Sequence, residues 1–141
     1  MQQPVQMLLF DKPTFNISRD LKETMNAAAK QCPLSRAQIT DRMNKLAVRY
    51  GVALGKGNRN GLSLETLEKW LNPYDKTRQI PIKALPIFCA VVGDHKLLEV
   101  LANPLGIQII GEDDQRLLKW AKAYHIARKA RKTMRKYDPD V

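Results

Sequence analysis

Residues 34–51, LSRAQITDRMNKLAVRYG, decide the fold. Ser35 stands where a helix cap is needed, and Gln38 follows three residues later. That is the spacing of a capping box, in which each side chain satisfies the other residue's free backbone N–H. Ile39, Met43, Leu46, Ala47 and Tyr50 then recur at steps of three and four, which lines one face of a helix. The run Gly51–Gly61 carries four glycines, which open backbone conformations closed to other residues, so it reads as a loop.

The same logic extends in both directions. Upstream, Ser18 opens a helix with Asp20 in its first turn, and Leu21, Met25, Ala28 and Cys32 share a face before Pro33 ends it. Downstream, Ser63 caps a short helix whose Leu64, Leu67 and Trp70 or Leu71 point inward. Asn72-Pro73 stops it, because a residue before proline avoids the helical region. Pro81 opens a further helix with Leu85, Phe88, Cys89 and Val92 on its buried face, and Gly93 closes it. Lys96–Leu105 reads as a fifth helix, with Pro104 disturbing its end. Gly106–Ile110 is a candidate strand, with Val5–Phe10 as its candidate partner. A sixth helix starts at Glu112, where Asp113 and Asp114 suit the positive end of the helix dipole, and runs to Lys136. The expected class is all-α, divided into an N-terminal arm (1–17), a helical domain (18–111) and a basic C-terminal helix (112–141).

The charge is concentrated. The formal net charge is +10, yet the stretch between Gln115 and Tyr137 alone holds nine Lys and Arg side chains and no acid. An excess of this kind favours a polyanionic partner, with nucleic acid ahead of an anionic membrane surface. The basic stretch lacks the apolar face of an interfacial helix, and no apolar run approaches the roughly 18 residues that span a bilayer. Within the last helix Leu117, Trp120, Ala121 and Tyr124 form an apolar stripe expected to pack on the body. Arg128, Arg131 and Arg135 continue the same stripe, so the helix is expected to leave the core near Ile126. Trp70 and Trp120 both read as core residues.

Little in the chain suggests chemistry. His95 and His125 are far apart, no Cys-x-x-Cys or His-Glu-x-x-His occurs, and no nucleophile stands at a workable spacing from a base. The sequence therefore gives no catalytic residue, no metal, no cofactor and no small-molecule substrate, and the chain is read as a non-enzyme. Gly55-Lys56 is a poor phosphate-binding loop, since Gly57 stands where Ser or Thr would hold magnesium and no strand precedes it. The short apolar segment Val5–Phe10 lacks the marks of a signal peptide. Cys32 and Cys89 are accordingly expected as free, buried thiols in the cytoplasm of a bacterial host.

Three segments carry a resemblance. Leu34-Ser-Arg-Ala-Gln-Ile-Thr-Asp-Arg-Met resembles the second helix of lambda-repressor-like helix-turn-helix domains. Thr66-Leu-Glu-Lys-Trp-Leu-Asn-Pro, followed by Gln79-Ile-Pro-Ile-Lys-Ala-Leu-Pro-Ile-Phe and Gly93-Asp94, is similar to CII-type regulators of temperate phages. The likeness covers about Leu21 to Leu101. The link from Tyr50 to Ser63 is long and glycine-rich where that family has a short turn, and the basic C-terminal helix lies outside the matched region. The resemblance implies sequence-specific binding of double-stranded DNA and control of phage or prophage genes, usually as an oligomer. Helix-turn-helix domains place their third helix in the major groove. In this chain Ser63, Glu65, Thr66 and Lys69 would then read bases. Arg36, Lys56, Arg59, Arg128, Lys129, Arg131, Lys132, Arg135 and Lys136 would meet phosphates. A homodimer is expected, because one short recognition helix reads few base pairs. Glu65 and Glu68 on the same helix motivate a rival, a helical phage adaptor that binds a host protein and no DNA. The loop Gly51–Gly61 is either a solvated connector or a phosphate contact beside the third helix.

Overall fold

The computed structural model describes residues 14–55 and 61–140. Its helices are α1 (Ser18–Gln31), α2 (Arg36–Tyr50), α3 (Leu64–Leu71), α4 (Leu85–Val92), α5 (Lys96–Ala102) and α6 (Glu112–Lys136), with 3₁₀ turns at Ile82–Ala84 and Asn103–Leu105. The protein is all-α, with no strand among the described residues. It divides into two units, Met1–Gln108 and Ile109–Val141.

In the first unit α1 packs on α3 and α5, while α2 packs on α3 and α4. Met25, Ile39, Met43, Leu67, Leu71, Phe88 and Leu97 are fully buried where these faces meet. Each such side chain contributes about 1.5–3 kcal/mol relative to exposure. The capping box of α2 is formed as its spacing requires. Gln38 N donates to Ser35 Oγ at 3.1 Å, and Ser35 N donates to Gln38 Oε1 at 2.8 Å. Tyr50, expected inward, is exposed at the last position of α2, where Gly51 in the left-handed region turns the chain away. Leu64 is likewise exposed.

Two boundaries differ from expectation for the same reason. A regular helix beginning after Pro81 would need the Pro86 N–H to bond Ile82 O, and proline has none. The chain instead closes a 3₁₀ turn, with Ala84 N on Pro81 O and Leu85 N on Ile82 O, and only then continues as α4. Pro104 acts likewise on α5, which ends at Ala102 and passes into a 3₁₀ turn closed by Gly106 at φ 69°. The candidate strand Gly106–Ile110 is not formed. The Ile107 N–H is spent on Ala102 O at 3.2 Å, and the segment runs on as irregular chain. Its candidate partner Val5–Phe10 lies outside the described residues. Cys32 and Cys89 are free but only partly buried. Burial pushes the Cys89 thiol pKa up, with Asp94 adding to the effect.

α3 is held at both ends. At its start, the Asn44 side chain from α2 grips the backbone of Leu62: Nδ2 donates to Leu62 O at 2.8 Å, and Leu62 N donates to Oδ1 at 2.7 Å. The amide thus acts as one rung of backbone pairing and fixes the residue before the Ser63 cap. At its end, Pro73 lacks the N–H that would continue the ladder to Lys69 O. The Lys22 ammonium from α1 takes its place at 2.6 Å and donates to Arg78 O at 2.6 Å as well. Lys22 is 2% exposed, and burial pushes its pKa down, with Asp75 opposing. A cation at the negative end of α3 is electrostatically well placed. Replacing Lys22 with Met leaves both carbonyls without that donor and is expected to cost about 1–3 kcal/mol in urea unfolding. Asn44→Ala is expected to cost a similar amount, on the order of 1–2 kcal/mol. Unchanged midpoints would show that neither clamp holds α3.

Candidate nucleic-acid interface

The first part of the site is α3 and the ground around its start. Ser63 Oγ accepts from Thr66 N at 3.1 Å and donates to Thr66 Oγ1 at 2.9 Å, so the two hydroxyls build the cap together. One turn on, Lys69 Nζ pairs with Glu65 at 3.3 Å. The four expected base-reading residues are therefore brought together on one short helix, but each already has a local partner. Glu68 is exposed beside them.

A groove of about 820 Å³ opens at the start of α3. Leu54, Leu62 and Trp70 give it a buried apolar lining, and Ser63, Arg78 and Lys83 give it exposed or half-buried polar side chains. Arg78, Gln79 and Lys83 are the residues sequence reasoning missed. The available signal was the polar run Lys76-Thr-Arg-Gln79 between two prolines. That run is ordered locally by Asp75, whose carboxylate accepts from Thr77 N at 2.7 Å and from its hydroxyl. Thr77 holds the Asp75 carboxyl below the usual range. Lys22 grips Arg78 O, so the backbone that carries the Arg78 guanidinium is fixed from beneath.

The other expected phosphate contacts fall in three places. Arg36 opens α2 and donates to Asn26 Oδ1, so it is tied to α1. Lys56 and Arg59 lie outside the described residues. Arg128, Lys129, Arg131, Lys132, Arg135 and Lys136 lie in the second unit, on α6.

Taken by itself, α6 is a 25-residue helix with no buried side chain. Glu112, Asp113 and Asp114 fill its first turn, and Arg116 reaches Glu112 at 3.0 Å and Asp113 at 3.9 Å. None of the six cations from Arg128 onward takes part in an ion pair among the described residues. The apolar stripe is exposed and not buried as expected: Trp120 is 63% exposed and stacks on Tyr124 at 5.4 Å between ring centroids. The reading of Trp120 as a core residue is thus corrected, whereas Trp70 is buried. A single helix has no second surface of its own to bury such a stripe against.

No protein-family model, curated protein or solved structure matched this chain. Among the described residues no cluster of His, Cys, Asp and Glu is suited to hold a metal, and no helix is long and apolar enough to cross a membrane.

The cap and the ion pair on α3 should weigh differently. Ser63→Ala removes an acceptor from the helix start and is expected to cost about 1 kcal/mol in urea unfolding. Glu65→Gln breaks only an exposed pair and is expected to stay within about 0.5 kcal/mol of the parent. Equal costs would contradict the assignment of Ser63 as the structural cap.

Proposed function

We propose that this chain binds double-stranded DNA as a homodimeric transcriptional regulator of phage or prophage type. The observation that carries the reading is the unpaired cationic run Arg128–Lys136 on an exposed helix, in a chain whose charge is nearly balanced outside residues 115–137. Released counterions would supply the affinity, and this term does not depend on sequence. Selectivity would come from α3 in a helix-turn-helix arrangement. Thr66 and Lys69 would face base edges, and Arg78 and Lys83 beside the groove would join Lys56 and Arg59 on phosphates. The resemblance of residues 34–43 and 66–94 to lambda-repressor-like and CII-type regulators points the same way. Glu68 also has a place in this reading, since a carboxylate can accept from a cytosine N4 in the major groove.

One observation favours the adaptor instead. Glu65 neutralises Lys69, and Glu68 stands exposed, so the outer face of α3 carries no net positive charge. The two readings part in a gel-shift experiment at low salt with random duplex and with the DNA upstream of the protein's own gene. Binding to both, tighter to the second, is expected of the regulator, and binding to neither is expected of the adaptor. Cutting the chain after Tyr124 removes all six free cations and is expected to weaken binding to random duplex by on the order of a hundredfold. Affinity unchanged by the cut would overturn the role given to α6.

A further inference from the structure

The exposed stripe of α6 has a repeat that the cationic run conceals. Asp113, Leu117, Trp120, Tyr124, Ala127, Arg131 and Met134 follow one another at alternating steps of four and three. That is the spacing of a two-helix seam. Leu117 and Trp120 are both 63% exposed and Tyr124 is 50% exposed. A helix that buries none of its apolar face draws little stability from its own hydrogen bonds, because most helical stability in proteins comes from packing such a face. The seam therefore needs a cover, and the distribution of charge along it identifies which.

We propose that α6 pairs with the α6 of a second copy of this chain, antiparallel, about a twofold axis beside residue 122. Facing seam positions then match from residue 113 to residue 131. Trp120 meets the partner's Tyr124, and Leu117 meets the partner's Ala127. Asp113 meets the partner's Arg131, which gives the one arginine within the seam an opposite charge across it. Beside the seam, Asp114 lies across from the partner's Arg128, and Ala121 from its own counterpart, where a small side chain lets the helices approach. A parallel pair would instead set Arg131 against Arg131 and Asp113 against Asp113, and would lay two runs of six cations side by side. The acidic first turn and the basic last turns of one helix are complementary only when the second helix runs the other way. Lys129, Lys132, Arg135 and Lys136 stay outside the seam. The pairing does not depend on the DNA-binding reading: a dimer without DNA affinity upholds it, and a DNA-binding monomer refutes it.

Sedimentation equilibrium of the full chain at physiological salt tests the proposal through charge exchange. The parent is expected to dimerise at micromolar concentration. Asp113→Arg and Arg131→Asp each place like charges in the seam twice per dimer, and each is expected to weaken association on the order of tenfold or more. The double variant restores opposite charges in the antiparallel register alone and is expected to return to within about threefold of the parent. Trp120→Ser removes the central contact and is expected to give monomer, while the thermal midpoint of the first unit stays at the parental value. A monomeric parent, a dimer indifferent to Trp120→Ser, or a double variant no better than either single one would each overturn the proposal.

Discussion

The ammonium of Lys22 is the contact on which the geometry of the first unit turns. Pro73 does two things at once: it ends α3, and it deprives Lys69 O of the donor that a continuing helix would have supplied. Lys22 reaches from α1 to fill that vacancy and binds Arg78 O as well. One buried cation thereby joins the first helix, the end of the third and the loop that follows. Removing a charge from water is costly, and the lowered pKa of Lys22 expresses that cost. The arrangement holds because two carbonyls and the negative end of a helix converge on the nitrogen. Asn44 does the matching task at the other end of α3 with neutral groups. A long glycine-rich loop can therefore join α2 to α3 without leaving α3 free to wander.

The two units divide the physical work. The first supplies shape: a short helix fixed at both ends beside a groove with apolar lining and cationic side chains. The second supplies charge and an uncovered apolar seam. Neither alone has the usual attributes of a sequence-specific DNA-binding protein, since α3 is close to neutral and α6 presents cations without base-reading groups. Pairing through α6 would double both, giving two copies of α3 and two cationic ends in one particle. That number matters, because symmetric sites are read by symmetric proteins.

Much of the fold was legible because caps and prolines act locally. Ser35, Gln38, Ser63, Asn72-Pro73, Gly93 and Glu112 mark helix ends through groups within a few residues, and the helices begin or end within a residue or two of them. The apolar spacing likewise gave Met25, Ile39, Met43, Leu67 and Phe88 as core. What the sequence hid were interactions between distant residues of polar type. Lys22 looks like a surface lysine beside an apolar face, and nothing nearby shows that a carbonyl near residue 69 awaits it. Asn44 is equally silent until Leu62 is in view. Nothing in the sequence singles out Arg78 and Lys83 until the groove sets them near Ser63 and Thr66. The stripe on α6 was read correctly as apolar and wrongly as buried, because periodicity tells which residues share a face and not what covers that face. The strand at Gly106–Ile110 failed for a related reason, since extended-looking residues still need a free N–H to pair, and Ile107 has spent its own.

In the DNA-binding proposal, affinity would come from phosphate contacts made by α6. The dependence of duplex binding on salt measures this most directly, because each neutralised phosphate adds about 0.9 to the slope of log K against log salt. With four cations outside the seam on each α6, random duplex should give a slope of about −3 or steeper for the full chain, and one shallower by about 3 for the chain cut after Tyr124, which keeps only the phosphate contacts of the first unit. A shallow slope for the full chain, or one unchanged by the cut, would contradict that reading.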